Sequence, residues 1–198
     1  MRIIGITGGI GSGKTTASEY LKSRGFHVID ADRIGHEIMQ PGMPVLIELA
    51  MVFGGDILDD NGVLNRKKLA EAAFADPQNK KMLDSITHKE IFEEIRRRMD
   101  ILSDQGVKIV FLDAALLFET GLENTCEQTW LIDAEDEIRI KRAMARDGST
   151  RDQVLARLKN QMSSEEKRKR ASHTIDNSGD LEQLYKQLDV LISGLEKL

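Results

Sequence analysis

A single cysteine, Cys126, stands in the whole chain. One thiol excludes an intrachain disulfide framework and suits a reducing compartment. No motif surrounds it, so a structural or incidental role is expected. Apolar runs are short: none approaches the ~18 residues of a membrane span. The stretch after Arg2 is too brief for a signal peptide, so a cytoplasmic protein with no membrane partner is expected. Basic residues are not in excess, with 28 Lys and Arg against 33 Asp and Glu and a net charge of −5. That balance counts against a nucleic-acid partner and requires any polyphosphate site to be made locally basic. The four histidines, His27, His36, His88 and His173, lack the spacing of a metal site. No internal repeat, low-complexity tract or linker interrupts the chain, and nothing indicates an obligate protein partner. The remainder is ordinary: 198 residues, 40% hydrophobic and 31% charged, enough for a substantial core in one or two units.

One stretch departs from the ordinary. Ile3 to Thr16 reads Ile-Ile-Gly-Ile-Thr-Gly-Gly-Ile-Gly-Ser-Gly-Lys-Thr-Thr, and Gly8-x-x-x-x-Gly13-Lys14-Thr15 fills the P-loop pattern. The apolar run before it predicts a buried strand, and Thr16 to Arg24 predicts a helix stopped by Gly25. The composition follows from the chemistry. Phosphate oxygens are met by backbone N–H groups, so side chains must be absent where the chain approaches them, and glycine also permits the dihedrals required. The helix N-terminus adds unpaired N–H groups and partial positive charge. Lys14 can reach the outer phosphates, and Thr15 offers a hydroxyl to Mg²⁺.

Phe26 to Ile29 predicts a second strand, ending in Asp30-Ala31-Asp32 at the carboxyl edge where open α/β sheets bind ligands. One of these acids is expected to cap the helix near Arg33, the other to accept or orient a substrate proton. His36 lies four residues beyond Asp32, on the same helical face. From about Gly35 to Asp104 the pattern is helical: Val45 to Phe53 closed by Gly54-Gly55, Arg66 to Phe74 capped by Asn65, a start at Asp76-Pro77, and a long helix opened by a Thr87-x-x-Glu90 capping box. Such an insertion on the ligand side of a sheet is a natural seat for a second substrate. Within it, Arg66 and His88 read as polar helix starts.

Lys108 to Asp113 predicts the third strand and the sheet centre, with Asp113 placed either to hold Mg²⁺, directly or through water, or to cap a loop. Leu116, Leu117 and Phe118 are either core or a pocket lining closed by Glu119. Thr129 to Asp133 predicts the fourth strand and His173 to Asp176 the fifth. Between them Arg139, Arg142 and Arg146 share a helical face, Arg157 and Gln161 stand a turn apart, and Ser163-x-x-Glu166 opens a further helix. Arginine forks stabilise charge on a transferring phosphoryl group, so this segment reads as a lid that closes over a nucleotide and excludes water. Asp180 is expected to cap a last helix with an apolar stripe of Leu181, Leu184, Leu188, Leu191 and Leu195.

Together these pieces resemble the dephospho-coenzyme A kinase family over nearly the whole chain. The marks are the glycine loop, Asp30-Ala31-Asp32 with His36, Phe53-Gly54 followed by Gly62 and Arg66, and Leu116-Leu117-Phe118-Glu119. Arg142-x-x-x-Arg146, Arg157-x-x-x-Gln161 and Ile175-Asp176-Asn177-Ser178-Gly179 complete them. Two departures stand out: Ala115 replaces the family's usual proline before Leu-Leu-Phe-Glu, and Lys89 replaces the proline after His88.

The resemblance implies an α/β P-loop kinase fold in three layers, with a five-stranded parallel sheet, a helical substrate domain and a helical lid. The boundaries expected within the single unit 1–198 are 1–34 and 104–198 for the nucleotide-binding core, 35–103 for the CoA-side domain and 139–170 for the lid. It implies ATP-dependent phosphorylation of the ribose 3′-hydroxyl of dephospho-CoA, with Mg²⁺ as cofactor. Asp32 and Lys14 would be catalytic, Asp32 as the base. Gly9, Gly11, Ser12, Gly13, Lys14, Thr15 and Thr16 would hold the ATP phosphates. Arg142, Arg146 and Arg157 would contact ATP from the lid, with Asn177 beside adenine. Asp32, His36, Arg66, His88, Leu117 and Glu119 would line the acceptor site, and Thr15 and Asp113 would serve the metal. A P-loop kinase for a nucleoside or nucleotide, or a nucleotide-binding switch without turnover, are the alternatives; a pure switch needs neither the acid pair nor the arginine lid.

Overall fold

The computed structural model describes residues 1–196. In chain order the elements begin with β1 (Arg2–Thr7), α1 (Lys14–Ser23), β2 (His27–Asp30), α2 (Ala31–Glu37), α3 (Pro44–Phe53), α4 (Arg66–Phe74) and α5 (Pro77–Asp104). They continue with β3 (Ile109–Asp113), β4 (Gln128–Asp133), α6 (Asp136–Asp147), α7 (Arg151–Lys159), α8 (Ser164–Arg170), β5 (His173–Asp176) and α9 (Leu181–Glu196). The chain forms two compact units, one of Met1–Ile29 with the residues from Gly106 onward, the other of Asp30–Gln105. The exchange therefore falls at Asp30 and Gln105, against the expected 35 and 103.

The first unit is built on a parallel sheet of five strands in the order β2-β3-β1-β4-β5. β1, not β3, is the central strand: Ile4 lies opposite Phe111 on one side and Gln128 on the other. This corrects the expectation that Lys108 to Asp113 holds the centre. Hydrophobicity alone does not rank two strands that are both buried on both faces; strand order does. After β1 the chain goes out to β2 and β3 on one side, and after β3 it passes to β4 and β5 on the other. The loop following β1 thus emerges at the switch in strand order, where α/β sheets bind ligands.

The core lies between the sheet and helices α1 and α9, where Ile4, Ile6, Leu21, Phe111, Trp130 and Ile132 meet Leu184, Leu188, Ile192 and Leu195. Phe111 and Trp130 rings pack 5.3 Å apart, and Tyr20 of α1 stacks on Tyr185 of α9 at 4.1 Å. The buried stripe of α9 differs at two places from the expected one. Leu181, in the first turn, is 55% exposed, and Ile192 is buried where Leu191 is only partly so.

Gly5 sits in β1 because there is no room for more: a Cβ there would lie 2.8 Å from Leu117 Cδ2 and 2.9 Å from Cys126 Sγ. That burial pushes the Cys126 thiol up to about 11. Its neutral form is therefore the one present at neutral pH, and thiolate is the reactive species. A thiol reagent is expected to label Cys126 slowly in the native protein and rapidly in denaturant. Fast native labelling would mean that the strand does not cover it.

The second unit is helical. α5 runs unbroken for 28 residues, which corrects the separate helix start read at Thr87. The N-cap is Asp76, whose Oδ1 accepts from Gln78 N at 2.7 Å, with Pro77 in the first turn. No glycine or proline follows before Asp104, so nothing breaks the helix. Thr87 instead donates its hydroxyl one turn back to the Leu83 carbonyl at 2.8 Å. Ile86, Ile95 and Met99 form its buried side, against which α2, α3 and α4 pack. Arg98 of α5 ties α2 to this helix, donating to Glu37 at 2.5 Å and to Glu94 at 2.7 Å. Arg97 and Arg98 together hold the Glu94 carboxyl down to about 2.

Candidate active site

The loop between β1 and α1 has the backbone its glycines permit. Gly11 and Gly13 take φ values of +74° and +93°, a region costly for any residue with a Cβ. Gly13 is the N-cap of α1, no side chain caps the helix, and its first turn holds no acid. The first N–H groups and the positive end of the helix dipole are thus left for an anion. Thr15 is exposed and Thr16 half-buried at this end.

Lys14 and Asp113 come together as an ion pair between α1 and the end of β3. Asp113 is only 3% exposed, and its other oxygen accepts from Ser18 Oγ at 2.6 Å. Asp113 is therefore bound into the base of the site by side chains of α1.

Asn177, just past β5, closes the other side. Its N–H donates to the Asp133 carbonyl at 2.7 Å, its Nδ2 donates to the Ser12 carbonyl at 2.7 Å, and its own carbonyl accepts from Arg142 Nη1 at 2.8 Å. Its Oδ1 and the Ser12 hydroxyl are buried and meet no hydrogen-bond partner among the described residues. Gly13 is also required here sterically, since a Cβ would sit 2.0 Å from Asn177 Nδ2.

The arginines of 139–170 divide in a way the helical spacing did not reveal. Arg142 reaches Asn177. Arg146 and Arg157 both bond Asp147, at 2.7 and 2.6 Å, and hold its carboxyl well below the ordinary aspartate range. Both are largely exposed, so a ligand phosphate would compete with one carboxylate for them. Arg139 is 5% exposed and lies against the glycine loop. Arg168 donates to buried Asp133 at 2.7 Å. Lys167, 1% exposed, donates to the Ala115 carbonyl at 2.9 Å and pairs with Glu119 at 3.1 Å. Arg170 lies 4.9 Å over the Phe118 ring.

Two of the residues that the resemblance assigns to the acceptor make their contacts within the first unit. Glu119 Oε1 accepts from Met162 N at 3.0 Å as well as pairing with Lys167. Leu117 is 0% exposed and packs beneath β1, while its neighbour Leu116 is 40% exposed. In the second unit, Asp30 is the residue that caps α2, accepting from Arg33 N at 2.9 Å. Asp32 stands in the first turn, exposed, with His36 one turn on and also exposed. Arg66 is the first residue of α4. His88 lies inside α5, not at a helix start, with its ring parallel to Phe92 at 6.1 Å.

Sequence reading missed Arg139 and Asp133 as parts of the site. Asp133 carried a signal, since it ends a strand at the same edge as Asp113. Arg139 carried only its place on the Arg142 face.

A glycine loop at the centre of a parallel sheet, an uncapped helix behind it, and a lysine on the acid that ends the next strand define a P-loop phosphotransferase. A sequence model described as Dephospho-CoA kinase matches residues 2–183, and the chain belongs to the dephospho-CoA kinase family. The dephospho-CoA kinase of Carboxydothermus hydrogenoformans is 42% identical over 186 residues, covering 94% of this chain and 90% of that protein. Among solved structures, a Thermus thermophilus protein superposes with a TM-score of 0.84 at 40% identity, covering 98% and 97% of the two chains. The dephospho-CoA kinase of Campylobacter jejuni gives 0.74 at 31% identity, covering 100% and 98%. The chain is accordingly an enzyme, a kinase of the P-loop α/β fold, and the family implies ATP with a divalent metal. No helix among the described residues is long and apolar enough to cross a membrane.

Proposed function

We propose that this enzyme transfers the γ-phosphoryl group of ATP to the ribose 3′-hydroxyl of dephospho-CoA, giving coenzyme A and ADP. The family match over residues 2–183 carries the choice of acceptor. The phosphate half is supported independently by the uncapped α1 behind Gly13 and by Lys14 on Asp113. In this reading the loop from Gly9 to Thr16 cradles the phosphates with backbone N–H groups, and Lys14 exchanges part of its hold on Asp113 for the β/γ oxygens. The acceptor oxygen attacks the γ-phosphorus, the bond to the β–γ bridging oxygen breaks, and ADP leaves. Asp32 takes or orients the hydroxyl proton. Arg142 keeps Asn177 at the loop, beside adenine, while Arg146 and Arg157 turn from Asp147 to the phosphates. In the same reading His36, Arg66, His88, Leu117 and Glu119 are the residues assigned to the acceptor.

The residues present suit Mg²⁺. Thr15 and Asp113 offer hard oxygen donors, and no cluster of three or more His, Cys, Asp or Glu that could hold a metal occurs among the described residues. A metal held mainly by phosphates, water and one or two protein oxygens has that donor set. When bound it neutralises charge on the phosphates.

ADP release with Mg-ATP, measured with dephospho-CoA, AMP, CMP and adenosine in turn, tests the reading. Release with dephospho-CoA alone is expected. Release with a nucleotide or nucleoside in its place would make the chain a kinase of another acceptor, and ATP binding without acceptor-dependent release would make it a switch.

A further inference from the structure

The backbone of Ile10, in the middle of the glycine loop, is held from both sides by the segment that follows β4. Its N–H donates to Gln161 Oε1 at 3.3 Å, and its carbonyl accepts from Arg139 Nε at 3.2 Å. Arg139 is itself locked. It is 5% exposed, and its Nη1 donates to Asp136 Oδ1 at 3.1 Å and to Ser164 Oγ. Asp133 lies 3.9 Å from the same nitrogen. The fit against the loop is steric as well as polar. A Cβ on Gly9 would lie 2.1 Å from Arg139 Nη2, and one on Gly11 would lie 2.1 Å from the Arg139 carbonyl oxygen. Arg139 belongs to α6, Gln161 follows α7, and Ser164, which opens α8, holds Arg139, so the segment reaches this loop residue through Arg139 and Gln161.

The Arg139 guanidinium is buried, with Nε on the loop carbonyl and Nη1 on Asp136 and Ser164, so most of its donors already hold protein oxygens. We propose that Arg139 and Gln161 are positioning residues that clamp the Ile10 backbone, setting the loop N–H groups for phosphate before ATP arrives. Through them the position of α6, α7 and α8 is felt directly by the loop. Preorganised donors cost nothing to reorganise when charge arrives, whereas a loop that must first be ordered loses affinity for every phosphate it binds.

This inference rests on the reading that the loop binds ATP phosphates, and direct binding separates the two. Calorimetry with Mg-ATP on the wild-type chain comes first; no binding would sink the ATP reading itself. Given binding, Gln161→Ala is expected to weaken Mg-ATP and Mg-ADP about tenfold, the ~1.4 kcal/mol scale of one lost hydrogen bond. KM for dephospho-CoA should stay within about twofold, since the acceptor does not rest on Ile10. Gln161→Glu keeps an Oε acceptor and should recover most of the ATP affinity. Arg139→Lys keeps the charge but not the fork, and should weaken ATP at least as much as Gln161→Ala. Unchanged ATP affinity in Gln161→Ala would overturn the clamp. So would equal losses for both substrates together with a falling Tm, the signature of a residue that merely holds the fold.

Discussion

Asp32→Asn is expected to lower kcat at least ~100-fold, the low end of what a positioned general base contributes, while the Kd for Mg-ATP stays within about twofold. The reasoning begins with two acids that look equivalent in sequence. Asp30 accepts from Arg33 N and caps α2. Asp32 stands one step into the helix, exposed, in its first turn. A ribose hydroxyl must shed its proton as its oxygen attacks phosphorus, and a carboxylate can receive or orient that proton while an amide cannot. Asparagine has nearly the same shape, so α2 keeps its packing and its cap. Asp30→Asn supplies the contrast. Asparagine caps a helix about as well as aspartate, so that variant should keep turnover near wild type and lose little stability. Steady-state rates and ATP binding on the two proteins decide the matter. Near-wild-type turnover in Asp32→Asn would remove Asp32 from the role. Equal losses in both variants would mean that the pair acts together.

Lys14→Met should lower kcat/KM for ATP ~100- to 1,000-fold, the range for removing one preorganised donor from a developing anion. The structure adds a second expected effect. Lys14 pairs with Asp113, whose side chain is 5% exposed. Methionine leaves that carboxylate buried without its lysine, and breaking a buried pair from one side costs roughly 3 kcal/mol. The bond from Ser18 remains and moderates the loss. A fall in Tm therefore accompanies the fall in rate, and the two can be separated. The double variant Lys14→Met, Asp113→Asn removes the stranded charge. It should regain much of the lost Tm and none of the lost rate. If rate returned with stability, Lys14 would matter to the fold and not to phosphoryl transfer.

Both variants rest on residues legible in the chain before any coordinates, and the reason is their locality. The glycine loop, its lysine and the helix behind it lie within one short stretch, and each residue's task follows from its neighbours in sequence. The caps at Asn65, Asp76 and Ser163 were legible for the same reason. Local rules also misled where local and tertiary demands differ. Thr87-x-x-Glu90 satisfies a helix-start pattern, yet the chain from Pro77 to Asp104 has no breaker and a continuous buried side, so the helix runs through it.

The α/β class, the phosphate-binding loop, the two acids after the second strand and the family follow from the residues in their order. Those depend on backbone geometry and on spacings of a few residues. Which strand is central, which acid caps, and which of the segment's arginines are buried depend on packing between distant parts of the chain. The Arg139 bond to Ile10 joins positions 129 residues apart, and the Gln161 bond joins positions 151 apart. No period or motif encodes such a pair. Burial decides it, because a guanidinium taken out of water must find oxygens wherever the fold presents them, and here the fold presents the carbonyl of the loop.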